Sequence, residues 1–283
     1  MISRNLMKKT QKMKIRWKKM KLLIQSDDFG ITRAVSQGCI FGIQNGVIKN
    51  TGMFANMPWI EECVFLLKPY LNDIAFGIDL NLSTGSSLLA HSVVPNLTKS
   101  NGQFLTSREN RQLDREENGF DHLADFSGQV YDEFKAQIEK YIQLVGKKPD
   151  YIHNHAYGTA TVDAVTKRLS KEYDVMCTQN LLDKNVVKQA GMGWYVPGDA
   201  QSQLSGNLTN YIIEDKGKLI GSEYGYLISH CGYLDAEIFQ LSSFNTCRAM
   251  DLQALTSNDV KEWIENNQIE LITFKELPDS WKK

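Results

Sequence analysis

Two carboxylates stand side by side at Asp27 and Asp28, directly after the apolar run Leu22-Leu23-Ile24 and just before Gly30. Like charges this close raise one pKa unless a cation or water answers them. Other polar residues fall in comparable places: His153 and His155 follow Tyr151-Ile152, and His230 follows Leu227-Ile228. In Gly77-Ile78-Asp79-Leu80-Asn81-Leu82 apolar and polar residues alternate, which puts Asp79 and Asn81 on one face of a strand. On an interior strand Asp79 needs a cation or hydrogen-bond donors; on an edge strand it would be solvated. Asp28, Asp79 and the two histidines make a mixed nitrogen and oxygen donor set. Such a set suits Zn²⁺, or a harder ion such as Mg²⁺ that keeps some of its water. His230 has a side chain whose pKa suits proton donation near neutrality. Together these groups could carry out metal-assisted hydrolysis.

Each feature also has a bland reading. Asp and Gly are ordinary turn residues, and an isolated histidine pair is usually structural. A nucleophilic pair of Cys231 and His230 is disfavoured, because neighbours on a strand point to opposite faces. Asp28-Phe29-Gly30 spells the magnesium motif of kinases, but the residues before it are too few to hold a kinase's glycine-rich loop, lysine strand and catalytic loop.

The elements that must position these groups alternate between strand and helix. The pattern predicts strands at Leu22–Ile24, within Val47–Met57, at Ile74–Leu82, Asp150–Asn154, Val175–Thr178, Tyr224–Ser229 and Ile269–Phe274. Helices are expected at Arg33–Asn45, from Pro58 to Leu67, at Ser127–Val145, Val162–Tyr173, Asn207–Glu214 and Asn258–Asn267, the last with Thr256 and Asp259 in capping-box spacing. Residues 83–126 and 179–222 show little periodicity and read as long excursions. This alternation predicts an α/β fold with a mainly parallel sheet, as a barrel or a doubly wound sheet. In such folds the C-terminal strand ends share one face, and that face holds the site.

The 283 residues are 42% hydrophobic and 23% charged, which allows one large α/β domain or two smaller ones. With no repeat or linker in view, one domain is the simpler expectation. The net charge of −1 gives no reason to expect nucleic acid or an anionic membrane as partner. Five scattered cysteines without C-x-x-C spacing fit a reducing cytoplasm. No apolar run reaches the ~18 residues of a membrane span. Residues 1–20 are basic and hold no acid; they read as a disordered leader or the result of an upstream start, since Met7, Met13 and Met20 could also begin the chain.

These blocks resemble, in order, those of the YdjC-like carbohydrate deacetylases, which include chitooligosaccharide deacetylases. Leu-Ile-Gln-Ser-Asp-Asp-Phe-Gly is similar to the family's strand followed by Asp-Asp-Phe-Gly. Gly77 to Leu82 resembles Gly-x-His-Leu-x-Leu, and Pro149 to His155 resembles Pro-x-x-Ile-Asp-Ser-His. Ser229-His230-Cys231-Gly232 resembles Cys-His-Pro-Gly, and Arg248 to Ser257 resembles the closing Arg-x-x-Glu-x-x-x-Leu-Thr-Ser. The likeness runs from about Lys21 to Leu277, so residues 21–283 form the expected domain. It implies a TIM-barrel-like (β/α) barrel with long loop excursions, a divalent metal ion, and hydrolysis of an N-acetyl group on an amino sugar or short oligosaccharide. It also suggests a homodimer. By matching position, Asp27 would be the general base, Asp28 and His155 metal ligands, His230 the general acid, and Arg248 an accessory residue that orients a carboxylate.

The chain departs from this pattern at the metal site. Asp79 stands where the family has a ligand histidine, and His153 where it has an aspartate. Either Asp79 still coordinates, giving Asp28, Asp79 and His155, or His153 supplies the missing imidazole. The first arrangement favours Mg²⁺ or Mn²⁺ over Zn²⁺. A third outcome is a lost metal, leaving a carbohydrate-binding pseudoenzyme. A metal-dependent phosphoesterase is a further alternative, with Arg248 its sole basic candidate.

Overall fold

The computed structural model describes residues 19–116 and 121–282. The basic leader expected over residues 1–20 therefore lies, except for its last two positions, outside the described residues. Eight strands follow one another in the described chain: β1 (Lys21–Phe29), β2 (Asn50–Met53), β3 (Ala75–Leu80), β4 (Tyr151–Asn154), β5 (Met176–Cys177), β6 (Lys188–Gln189), β7 (Tyr224–Ser229) and β8 (Glu270–Ile272). They form one sheet in the order β5-β4-β3-β2-β1-β7-β6, with β8 also pairing β1. Every ladder is parallel.

The sheet curls but does not close. Phe274 stacks on Tyr151 of β4 at 4.1 Å and meets Tyr226 of β7 at 5.8 Å, so strands four places apart in the order share one inner plug. The end strands β5 and β6 are two residues long and do not pair with each other. So few ladder bonds cannot seal a seam. The fold is a curled, parallel half-barrel, which agrees with the expected TIM-barrel-like (β/α) architecture in class and curl but does not complete the ring.

Helices cover the outside: α1 (Arg33–Asn45), α2 (Ile60–Leu67), α3 (Ser107–Glu116), α4 (Ser127–Val145), α5 (Ala160–Tyr173), α6 (Thr178–Asp183), α7 (Ala200–Gln203), α8 (Leu208–Ile213), α9 (Ala236–Leu241), α10 (Cys247–Thr256) and α11 (Asn258–Asn266). Helix α4 buries the stripe Val130, Phe134, Ile138 and Tyr141 and stops at Gly146, whose φ of +83° a side chain would resist. Helix α11 is capped by Ser257, whose hydroxyl accepts from the Val260 amide, and not by Thr256. The reason is that α10 runs through Thr256, whose own hydroxyl folds back onto the Leu252 carbonyl. The 83–126 excursion holds α3 and two isolated bridges, and the 179–222 excursion holds β6, α7 and α8.

Two apolar layers follow from the two faces of the sheet. One lies between sheet and helices and contains Leu22, Ile24, Phe76, Ile78 and Leu80. The other plugs the inside of the curl with Leu23, Ala75, Tyr151, Met176, Tyr226 and Phe274. Further along the same inner positions the residues turn polar: Gln25 and Asp27 on β1, Asp79 on β3, His153 on β4. Asp79 and His153 are register partners on adjacent interior strands, so both side chains face inward.

Candidate active site

The site is built around an irregularity in β1. Its register with β2 shifts between Ser26 and Phe29, and Asp28 has φ of +67°. Left-handed backbone is costly for most residues but tolerable for Asp. The break in strand alternation lets two consecutive carboxylates serve one site. The Asp28 amide donates to Asp79 Oδ2 at 2.8 Å, which fixes the turn from behind. Gly52 leaves the room for this, because a methyl group there would overlap the Asp79 carboxylate.

Each of the two carboxylates has its own histidine. Asp27 Oδ2 lies 3.2 Å from His153 Nε2, and Oδ1 accepts from the Gln25 amide. Gln25 is backed in turn by the Tyr226 hydroxyl at 2.7 Å. Asp28 Oδ1 lies 2.8 Å from His155 Nδ1, and Oδ2 accepts from Arg248 Nη2 at 2.6 Å. Arg248 is fully buried and also donates from Nε to the Phe244 carbonyl. The arginine thus orients Asp28, not Asp27. Burial would raise Asp27, but the charge and hydrogen bond of His153 hold it below the usual carboxylate range. Burial opposes ionisation of Asp28 too, yet His155 and Arg248 hold it well below that range. Asp79 has no such cation; burial, then Asp27 and Asp28, push it well above.

His230 follows β7. Its amide donates to Asp251 Oδ2 at 2.9 Å, and Asp251 Oδ1 accepts from Trp194 Nε1 at 2.9 Å. The ring packs 4.6 Å from Phe244, and its buried Nδ1 has no protein partner among the described residues. Burial lowers the pKa of His230 and pushes Asp251 up to about 6. Cys231 turns the other way, 2.8 Å from the Ser26 hydroxyl, in keeping with the rejected Cys231–His230 pair.

Among the described residues no three His, Cys, Asp or Glu side chains stand grouped as a ready cation cage. The donors nevertheless suit one. Asp28 Oδ1 is buried and faces His155 Nδ1 closely, but without the alignment of a hydrogen bond. Asp79 Oδ1 is buried and also has no hydrogen-bond partner among the described residues. Beside the ionised Asp27 and Asp28, buried Asp79 is driven towards its neutral acid, and a divalent cation at Asp28 and Asp79 would let it ionise. His153 is not free to join: one ring nitrogen meets Asp27 and the other Thr178.

The structure thus brings together Asp27, Asp28, Asp79, His153, His155 and Arg248, with His230 beside Arg248's helix. Sequence reasoning did not find Gln25, Thr178, Trp194, Phe244 or Asp251. No local pattern marks the first four; Asp251 lies inside the closing motif but had no role to distinguish it. Both excursions reach the site indirectly. Trp194 comes from the second. The first clamps the loop carrying His155: Arg111 donates to the Ala156 carbonyl at 2.6 Å and Asp114 accepts from the Tyr157 hydroxyl at 2.9 Å.

A curled parallel sheet with carboxylate–imidazole pairs at its C-terminal strand ends defines an α/β protein with the makings of a hydrolytic centre. A family model described as YdjC-like protein matches residues 21–266, and the chain belongs to that family. Carbohydrate deacetylase 2 of Listeria innocua serovar 6a is 30% identical over 92% of this chain and 99% of its own length. A carbohydrate deacetylase of Clostridium beijerinckii is 28% identical over 91% of this chain and its whole length. A crystal structure from Enterococcus faecalis V583, of a protein provisionally assigned to cellobiose-phosphate cleavage, shares the fold. Its TM-score is 0.73 and its identity 24%, covering 91% of this chain and 98% of that one. No helix among the described residues is long and apolar enough to cross a membrane.

Proposed function

We propose that this protein is a carbohydrate deacetylase that hydrolyses the N-acetyl group of an amino sugar or short oligosaccharide, with a divalent cation at Asp28, Asp79 and His155. The observation that carries the reading is the pairing of adjacent carboxylates with separate imidazoles, Asp27 with His153 and Asp28 with His155, at one end of the sheet. The names of the curated relatives support the reaction class. The carboxylate-rich donor set favours Mg²⁺, with Mn²⁺ or Zn²⁺ as alternatives. A cation bound there supplies Lewis-acid polarisation of the acetamide carbonyl.

The chain's own groups divide the proton work. Asp27 takes a proton from the water that adds to the carbonyl carbon. His230 gives a proton to the sugar nitrogen as the C–N bond breaks, releasing acetate and a free amine. Arg248 keeps Asp28 ionised and aimed. A reducing compartment such as the cytoplasm suits the five free, buried cysteines.

Acetate release from short N-acetylglucosamine oligomers tests this. Asp27→Asn is expected to abolish turnover but keep the thermal shift caused by Mg²⁺ or Mn²⁺, whereas Asp28→Asn loses both. Retained turnover in Asp27→Asn sinks the base assignment. One observation favours a second reading, a carbohydrate-binding pseudoenzyme: Asp79 is already engaged by the Asp28 amide. Failure of every divalent ion to bind would select it. Arg248, the basic candidate for a phosphoesterase, is fully buried on Asp28.

A further inference from the structure

Asp27 is gripped from two sides by chains of polar contacts that rise from inside the curl. One runs from Tyr226 through Gln25 to Oδ1. The other runs from the Thr178 hydroxyl to His153 and ends in an ion-pair contact of the ring with Oδ2. Thr178 is buried at the start of α6, where β5 ends beside β4; the register Ile152↔Cys177 sets it next to His153. His153 Nδ1 lies 2.7 Å from the Thr178 hydroxyl oxygen and Nε2 lies 3.2 Å from Asp27 Oδ2.

The chemistry of the three groups fixes a direction. An ionised carboxylate only accepts, so Nε2 must carry the hydrogen that points at Asp27. Burial opposes the charge on His153, but Asp27 raises its pKa; while the ring is cationic both nitrogens donate, and once it is neutral Nδ1 is the acceptor and the Thr178 hydroxyl donates. We propose that Thr178 and His153 are positioning residues for Asp27: the Thr178 hydroxyl fixes the His153 ring, as its Nε2–H tautomer once the ring is neutral, and that N–H holds the Asp27 carboxylate in the orientation from which it takes a proton. This rests on the reading of Asp27 as the base. The Thr178 hydroxyl pairs with His153 and not with Asp28, Asp79 or His155, so its effect reaches Asp27 through the ring. The device also gives His153 a use that needs no coordination.

Nitrogen-15 spectra of histidine-labelled protein read the tautomer directly, with His153→Gln identifying the His153 signals among those of five histidines. Recorded above the titration of the ring, the wild-type His153 is expected as Nε2–H. Thr178→Val, close in shape, is expected to lose that preference and to lower kcat about tenfold, the worth of about one hydrogen bond, with KM little changed. Thr178→Ser restores both. An Nδ1–H ring in the wild type overturns the proposal. So does an unchanged kcat in Thr178→Val, whether or not the spectrum moves. If the wild type shows no turnover, the functional reading fails, and the spectrum alone decides the tautomer.

Discussion

Replacing Arg248 by Met tests how the buried centre is balanced. The guanidinium is fully buried, bonds Asp28 Oδ2 at 2.6 Å and holds the Phe244 carbonyl at 2.8 Å. Methionine keeps most of the volume but leaves a buried carboxylate without its cation. Breaking a buried pair from one side costs about 3–5 kcal/mol. His155 stays beside Oδ1 and limits the damage. With a urea m-value of about 3 kcal/mol/M, the unfolding midpoint should fall by about 1–1.5 M at pH 7, followed by circular dichroism. The pH dependence sharpens this test. Asp28 is held well below the usual carboxylate range by His155 and Arg248. Its stabilisation is therefore present above the unfolded pKa of about 4 and is lost as pH falls towards the folded value. The deficit of Arg248→Met should narrow on acidification. The double variant Asp28→Asn, Arg248→Met should lose less than the two single losses added. A loss below about 1 kcal/mol at pH 7, the level of an exposed pair, would refute the reasoning, as would a deficit that does not shrink in acid.

Asp251, pushed up to about 6 by burial, gives the opposite slope. The folded protein binds its proton more readily than the unfolded chain, so this residue should lower stability as pH rises from about 4 to about 6. Asp251→Asn should flatten that part of the urea-midpoint profile, and an unchanged slope tells against it. Gly52→Ala should destabilise by about 1–3 kcal/mol, because the new methyl meets the Asp79 carboxylate. Asp79→Ala in the same chain should recover part of that loss, and a fully stable Gly52→Ala would show that the strand can yield.

What could be read from the sequence follows the physics of its patterns. Helix α4 matches its expected span because it carries one uninterrupted stripe, and strand β7 because it is a short apolar run buried on both faces, Tyr226 inside the curl and Leu227 under the helices. The alternation also set Asp79 on the face opposite Ile78 and Leu80; that this face looks into the curl came only from the neighbouring strands β2 and β4. Helix α10 was not legible: its buried positions include Arg248, Asp251, Leu252 and Leu255, so two charges sit in the stripe that apolar residues would mark. Helix α3 hides similarly, with Asn110 and Asp114 as its buried residues. The pairings were beyond reach altogether. Nothing local joins Asp28 to Arg248, 220 residues away, or His153 to Thr178 across a strand boundary. The open seam was invisible too, since a two-residue strand such as β6 leaves no period.

The pairing of β1 with β8 has a bearing on how the chain comes to be folded. Lys21, Leu22 and Leu23 lie against Glu270, Leu271 and Ile272. On a ribosome adding about 5–20 residues per second, the first strand waits roughly 10–50 s for this neighbour to emerge. Its other partners arrive earlier, β2 first and β7 much later. For that interval the strand edge at Lys21–Leu23 stays open, just before the stretch that carries Asp27 and Asp28. Contacts this distant in sequence make for slow, aggregation-exposed folding. Yield at high expression rate should therefore depend on β8, which supplies none of the site's side chains.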